Sequence, residues 1–238
     1  MNKILVNPRK EVDRSVFPYT LATFRGFEEL AIHPKATFFV GDNGSGKSTM
    51  IEAIALLLNM SAEGGSREHT FSTYDSHSSF HDSLIHTRDE YPSEIFFLRA
   101  ESFYNVISYV TQAGYGRPRI GDAHRRSHGE GFLDCIRSFK PPGLYLFDEP
   151  ESALSLQGQL QFLALMKWLI DHGSQVIIAT HSPVVLALGH GIIYEFSEDG
   201  IQAQAYHETK NYVFMLDFLQ NRERYAKVIG LLPIKKNF

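Results

Sequence analysis

An α/β fold built on a mainly parallel sheet follows from three features of the sequence. Short apolar runs that read as buried strands recur along the chain: ATFFV (36–40), EIFFLRA (94–100), GLYLFDEP (143–150) and SQVIIAT (174–180). Stretches of helical length lie between them, among them STMIEAIALLLNM after the first strand and QGQLQFLALMKWLIDHG (157–173) before the last. A strand buried on both faces must be apolar throughout. Strand–helix alternation makes neighbouring strands parallel and covers both faces with helices.

Each element has its own local signal. ATFFV ends in a glycine-rich turn, the mark of a buried strand meeting a sharp exit. The segment 61–93 changes character, being rich in Ser, His, Gly and acids, and is expected to form an irregular or weakly helical surface lobe. SFYNVISYVTQ (102–112) reads as a helix, 113–126 as a loop, and FLDCIRSF (132–139) as a short helix, so that 101–139 makes a helical subdomain. The helix over 157–173 stops at Gly173, and PVVLAL opens another with proline in its first turn. From IIYEF onward the pattern predicts two edge strands forming an antiparallel border, then a polar amphipathic helical tail, with strand and tail together over 200–238. No internal repeat and no sustained heptads interrupt this order. Residues 1–238 are expected to form a single domain.

Composition narrows the function. With 238 residues, 43% of them hydrophobic, the chain can bury a full core. Its formal net charge of −4 excludes capture of nucleic acid by the overall field and leaves only a local patch for that task. Cys135 is the single cysteine, which excludes an intrachain disulfide and fits a cytoplasmic location. The first residues lack the apolar stretch of a secretion signal. No apolar run approaches the ~20 residues of a membrane span, so no membrane insertion is expected.

The most specific signal is Gly41-Asp42-Asn43-Gly44-Ser45-Gly46-Lys47-Ser48, followed by Thr49. It fits G-x-x-x-x-G-K-[ST] between a predicted strand and a predicted helix, the context that gives this motif its meaning. Glycines let successive N–H groups turn inward around phosphates, and the start of the helix adds partial positive charge. Lys47 is expected to reach the β- and γ-phosphates of a nucleotide, and the Ser48 hydroxyl to ligate Mg2+.

Further along, LYLFDEPES sets Asp148 and Glu149 at the end of an apolar strand. Two carboxylates there need a cation or a proton to offset their burial. Asp148 is expected to hold Mg2+ through water and Glu149 to deprotonate an attacking water. His181 follows the next strand, at the same carboxyl edge of a parallel sheet, where it could hydrogen-bond the γ-phosphate.

These residues, in this order, resemble the ABC-type ATPases, P-loop NTPases whose heads bind ATP and Mg2+. Three stretches resemble the soluble branch of SMC, RecF-like and OLD-like proteins: Glu52-Ala53-Ile54 after the phosphate loop, Glu151 in FDEPESAL, and IIATHSP. FFLRAES and SHGEGF together look most like compact stand-alone AAA-family ATPases of bacteria. The resemblance covers about residues 16–196.

It also gives a meaning to SHGEGF (127–132), which stands where the ABC family keeps its signature. By that resemblance Ser127 and Gly129 bind the γ-phosphate of ATP held by the opposite subunit, implying an ATP-dependent homodimer. A Ser127–His128 nucleophile is the rival reading. Adjacent residues seldom aim their side chains at each other, and no G-x-S-x-G turn is present. Glu101 stands at the family's Q-loop glutamine and is a further Mg2+ ligand candidate. Ser155 replaces the aspartate common in the D-loop. Arg25 matches a basic residue near the nucleotide in SMC-like heads, or makes a surface salt bridge.

Weaker signals remain. His69, His77, His81 and His86 could bind zinc, but no cysteine helps them and a solvated polar lobe is the preferred reading. Arg117, Arg119, Arg125 and Arg126 could touch nucleic-acid phosphates, polar partners or the nucleotide itself, or form an exposed loop. Phe17, Tyr19 and Phe24 are candidates to stack on adenine or to fill the core. The resemblance implies ATP hydrolysis coupled to a partner or a DNA-associated process of repair or defence type. The alternatives are the ATPase subunit of a transporter and a non-hydrolysing nucleotide-controlled module.

Overall fold

The computed structural model describes residues 1–66, 78–103 and 128–231. Among the described residues ten strands form two sheets: β1 (Lys3–Val6), β2 (Glu29–Ala31), β3 (Ala36–Gly41), β4 (Gly65–Ser66), β5 (Leu84–Thr87), β6 (Ile95–Arg99), β7 (Leu144–Asp148), β8 (Gln175–Ala179), β9 (Gly191–Ser197) and β10 (Gly200–Gln204). The helices are α1 (Lys47–Leu57), α2 (His128–Arg137), α3 (Leu156–Asp171), α4 (Pro183–Leu186), α5 (Lys210–Gln220) and α6 (Arg222–Val228).

Seven strands make the central sheet, in the order β10-β9-β3-β8-β7-β6-β4. The pairs β9–β3, β3–β8, β8–β7 and β7–β6 are parallel, and the two edge strands, β10 and β4, are antiparallel. β3, β7 and β8 are buried at every position. Their side chains alternate between two separate cores. Phe38, Val40, Tyr145, Phe147, Val176 and Ile178 face α2, α3 and α4. Phe39, Leu144, Leu146, Ile177 and Ala179 face α1 and the second sheet. Period-two alternation with both faces apolar is what the near-continuous hydrophobic runs require.

The second sheet, β2-β1-β5, is three-stranded and antiparallel. It corrects the expectation of a surface lobe over 61–93. Within the described part of that segment, β5 pairs with β1, β4 adds to the central sheet, and Phe80 and Leu84 are buried in the core beside α1. The strands are short, and their pairing partners lie far off in sequence, so polar composition outweighed a weak alternation. β9 is likewise an interior strand between β3 and β10.

The tail differs too. α5 and α6 bury no residue; Val213, Phe214 and Leu219 of α5 and Val228 of α6 are exposed, so the tail carries uncovered apolar side chains among its polar ones. The helix predicted over 102–112, most of the 101–139 subdomain and the arginines between 117 and 126 lie outside the described residues. No described helix is long and apolar enough to cross a membrane.

Candidate active site

The parallel strands bring four loops to one edge. β3 ends at Gly41, β6 at Arg99, β7 at Asp148 and β8 at Ala179, so the segments after them emerge side by side. Ligands bind at this carboxyl edge in open α/β sheets.

The phosphate loop runs from Gly41 into α1. Gly44 and Gly46 have φ of 79° and 100°, which a side chain would strain. Gly46 is fixed twice over, because a Cβ there would run into the Phe24 ring. Lys47 is buried and donates to the carbonyls of Gly41 (3.0 Å) and Asp42 (2.9 Å). Burial lowers its pKa, opposed by the charges of Glu149 and Asp148. Asn43, Thr49 and Ser48 line a cleft of about 440 Å³, with Phe17, Leu21 and Glu149 closing its far sides.

Ser48 joins this loop to the acidic pair by donating its hydroxyl to Asp148 Oδ1 at 3.2 Å. Asp148 is 3% exposed, and burial pushes its pKa up to about 6 although Arg99 opposes the shift. Glu149 takes a left-handed backbone, φ 48° and ψ 52°, directly after the strand. A non-glycine residue held there stores strain, and its N–H bond to the Ala179 carbonyl (2.9 Å) helps to keep it in place. The turn presents the Glu149 carboxylate to the cleft.

His181 lies across from it. Its Nε2 comes within 3.3 Å of Glu149 Oε1 but is misaligned for a hydrogen bond. The backbone around His181 is clamped at both ends: Glu151 Oε1 accepts from its N–H at 2.5 Å, and Asn211 Nδ2 of α5 donates to its carbonyl at 2.8 Å. Ser182 caps α4 by accepting from the Val184 and Val185 N–H groups. Glu151, met in the sequence only as a mark of resemblance, thus holds the backbone at His181. Asn211 gave no local signal at all.

A second unread feature is Arg99. It is the register partner of Asp148 on the neighbouring strand. Its Nη1 donates to Glu52 Oε1 of α1 at 2.5 Å, and its Nε lies 3.3 Å from Asp148 Oδ2. Burial weakens the guanidinium charge, but Asp148 and Glu52 outweigh it and hold the pKa above its ordinary value. The sequence shows only a cation closing an apolar strand; the acids that give it meaning lie on other elements.

Other candidates fall elsewhere. Glu101 is 85% exposed and reaches Asp148 only by way of Arg99, which lies 3.7 Å from it. Ser155 caps α3, accepting from the Gly158 N–H. Arg25 is exposed and makes no ion pair with a described residue. Tyr19 and Phe24 are core residues, whereas Phe17 is half exposed at the cleft. Ser127 lies outside the described residues. Gly129, in the first turn of α2, packs close to the Ala153 carbonyl, beyond Glu149. Among the described residues no group of three or more His, Cys, Asp or Glu is placed to hold a metal; His69 and His77 are not among them.

Three side-chain atoms of the described residues, Ser45 Oγ, Glu151 Oε2 and His181 Nε2, are buried without a hydrogen-bond partner, and of these Ser45 Oγ and His181 Nε2 can donate to a ligand beside the phosphate loop. Buried polar atoms normally have one. With the glycine-rich loop and the buried lysine, they fit a phosphate-bearing ligand. Fold and site together define a P-loop ATPase domain, an ATP-hydrolysing class of protein.

Residues 20–63 match the family described as "P-loop containing region of AAA domain", and residues 131–187 match "AAA domain, putative AbiEii toxin, Type IV TA system". The cytochrome c biogenesis ATP-binding export protein CcmA of Rhodopseudomonas palustris (strain BisB18) is 28% identical over 177 residues, covering 69% of this chain and 86% of its own. The DNA replication and repair protein RecF of Colwellia psychrerythraea is 49% identical over 45 residues, 18% of this chain and 12% of its own. Among solved structures, the SMC head domain from Thermotoga maritima is similar at a TM-score of 0.47 and 14% identity, covering 86% of this chain and 98% of that one.

Proposed function

We propose that residues 1–238 act as one ATPase unit that binds ATP with Mg2+ at the phosphate loop, hydrolyses it, and pairs with a second copy while ATP is bound. The observation that carries this reading is that Lys47, Ser48 and Glu149 line one cleft, with Asp148 bonded to Ser48 behind it, His181 Nε2 3.3 Å from Glu149, and Ser45 Oγ buried without a hydrogen-bond partner.

In this reading the loop amides, Gly41 to Gly46, and Lys47 hold the β- and γ-phosphates. Ser48 and Asp148 would hold Mg2+, which neutralises phosphate charge when bound. Glu101, on the solvent side of Arg99, is left out of that pair. Water attacks the γ-phosphorus, the bond to the ADP oxygen breaks, and Glu149 takes the proton of the water. His181 donates to the γ-phosphate and steers the nucleophile. Phosphoryl transfer depends mainly on such positioning and charge neutralisation.

Pairing would bring Ser127 and Gly129 of one copy to the γ-phosphate of the other. Gly129, in the first turn of α2, lies close to the Ala153 carbonyl in the turn that follows Glu149. The test is sedimentation in MgATP. Glu149→Gln should accumulate as a dimer, and Ser127→Arg should bind ATP yet stay monomeric. Normal turnover by a monomeric Ser127→Arg variant would reject the pairing.

A DNA-associated process of repair or defence type is the preferred setting, supported by the likeness of a 45-residue stretch to RecF. ATPase stimulation by DNA that weakens with salt would support it. The longer match to CcmA favours a second setting, the ATPase subunit of a transporter, for which co-purification with a membrane protein is the test.

A further inference from the structure

Arg99 has no part in the hydrolysis just proposed, yet its guanidinium faces carboxylates from three different elements. Glu52 of α1 takes its short hydrogen bond, Asp148 at the end of β7 lies 3.3 Å from Nε, and Glu101 in the loop after β6 lies 3.7 Å from Nη2. Glu52 and Arg99 are mostly buried and Asp148 almost wholly so. Both Asp148 oxygens therefore have protein neighbours, Ser48 at Oδ1 and Arg99 at Oδ2. The bond to Glu52 anchors the guanidinium, while Asp148 feels it as a nearby charge without an aligned hydrogen bond.

We propose that Arg99 is a built-in counter-cation that keeps divalent metal out of the Ser48–Asp148 pair until nucleotide phosphates bring their own negative charge. A cation entering beside Asp148 meets a fixed positive charge in a site of low exposure, where charge–charge terms are large and weakly screened by salt. Phosphate oxygens at the loop reverse that balance, so metal and nucleotide enter together. Glu52 acts through Arg99 as a positioning residue. A plain structural salt bridge would hold the fold together as well, but it would have no bearing on metal affinity.

The inference rests on the placement of Mg2+ at Ser48 and Asp148, so the experiment separates the two claims. The probe is Mn2+ followed by electron paramagnetic resonance, with melting temperature read beside it. Without nucleotide, the unaltered protein and Arg99→Lys should bind Mn2+ weakly. Arg99→Gln should bind it about tenfold more tightly or better, and Mn2+ should raise its lowered melting temperature. If Arg99→Gln unfolds in chelator, Arg99→Met is read in the same way; recovery by Mn2+ supports the inference and no recovery overturns it. Tight Mn2+ binding by the unaltered protein, or no gain on loss of Arg99, also overturns it. In the ATP complex, Asp148→Asn should weaken Mn2+. If it does so while loss of Arg99 changes nothing, only this inference fails; if it does not, the metal placement itself fails.

Discussion

Ser48 donates its hydroxyl to Asp148 across a sequence separation of 100 residues, 3.2 Å from oxygen to oxygen. The bond ties the first turn of α1 to the end of β7, so the phosphate loop and the acidic pair keep one spacing. Ser48→Ala removes both this bond and a proposed metal ligand. Half-maximal turnover should then require about tenfold more Mg2+, while ATP binding in chelator stays near its original strength. Metal titration of the steady-state rate measures it.

His181 is held by its backbone rather than by its ring. Loss of the imidazole in His181→Ala should lower kcat by about 100-fold or more. Asn211→Ala leaves the ring in place but frees the carbonyl, and kcat should fall about tenfold with KM unchanged. A rise in KM instead would mean that Asn211 serves binding and not the turn.

The three aromatic candidates near the amino terminus separate by exposure. Phe17 is half exposed at the cleft, so Phe17→Ala should weaken nucleotide binding by about 1–3 kcal/mol, the usual worth of stacking on a base. Phe24 is fully buried, and Phe24→Ala should cost about 3–5 kcal/mol of stability instead. Fluorescent-nucleotide titration and denaturant unfolding of both variants distinguish the two effects.

Gly46→Ala places a methyl group against the Phe24 ring at a φ of 100°. The strain should be on the order of 1–3 kcal/mol, felt in the loop. Nucleotide affinity should therefore fall more than melting temperature does. The same change at Gly26, where a Cβ would meet nothing within 4 Å, should leave both nearly as they are.

Much of this architecture was legible in the sequence because its signals are local. The strand before Gly41, the apolar run into Asp148 and the helix capped at Ser155 each announce themselves within a few residues. β1 and β5 do not. They are four residues long, and each is defined by a partner about 80 positions away, as Ile4 is by His86. Polar neighbours masked Phe80 and Leu84, which the core beside α1 needs. In the site, the phosphate loop and the Asp148–Glu149 pair were readable from motif and context. Arg99, Glu52 and Asn211 acquire meaning only where three elements converge, and no spacing rule within one element reports that.

Glu149→Gln bears most directly on the proposal that this cleft hydrolyses ATP. The substitution keeps the shape of the side chain and removes its ability to take a proton. Equilibrium binding of ATP should remain within about threefold of the unaltered protein, while single-turnover hydrolysis falls by about 100-fold or more. Hydrolysis at the original rate, or loss of ATP binding in the folded variant, would contradict the role given to this residue.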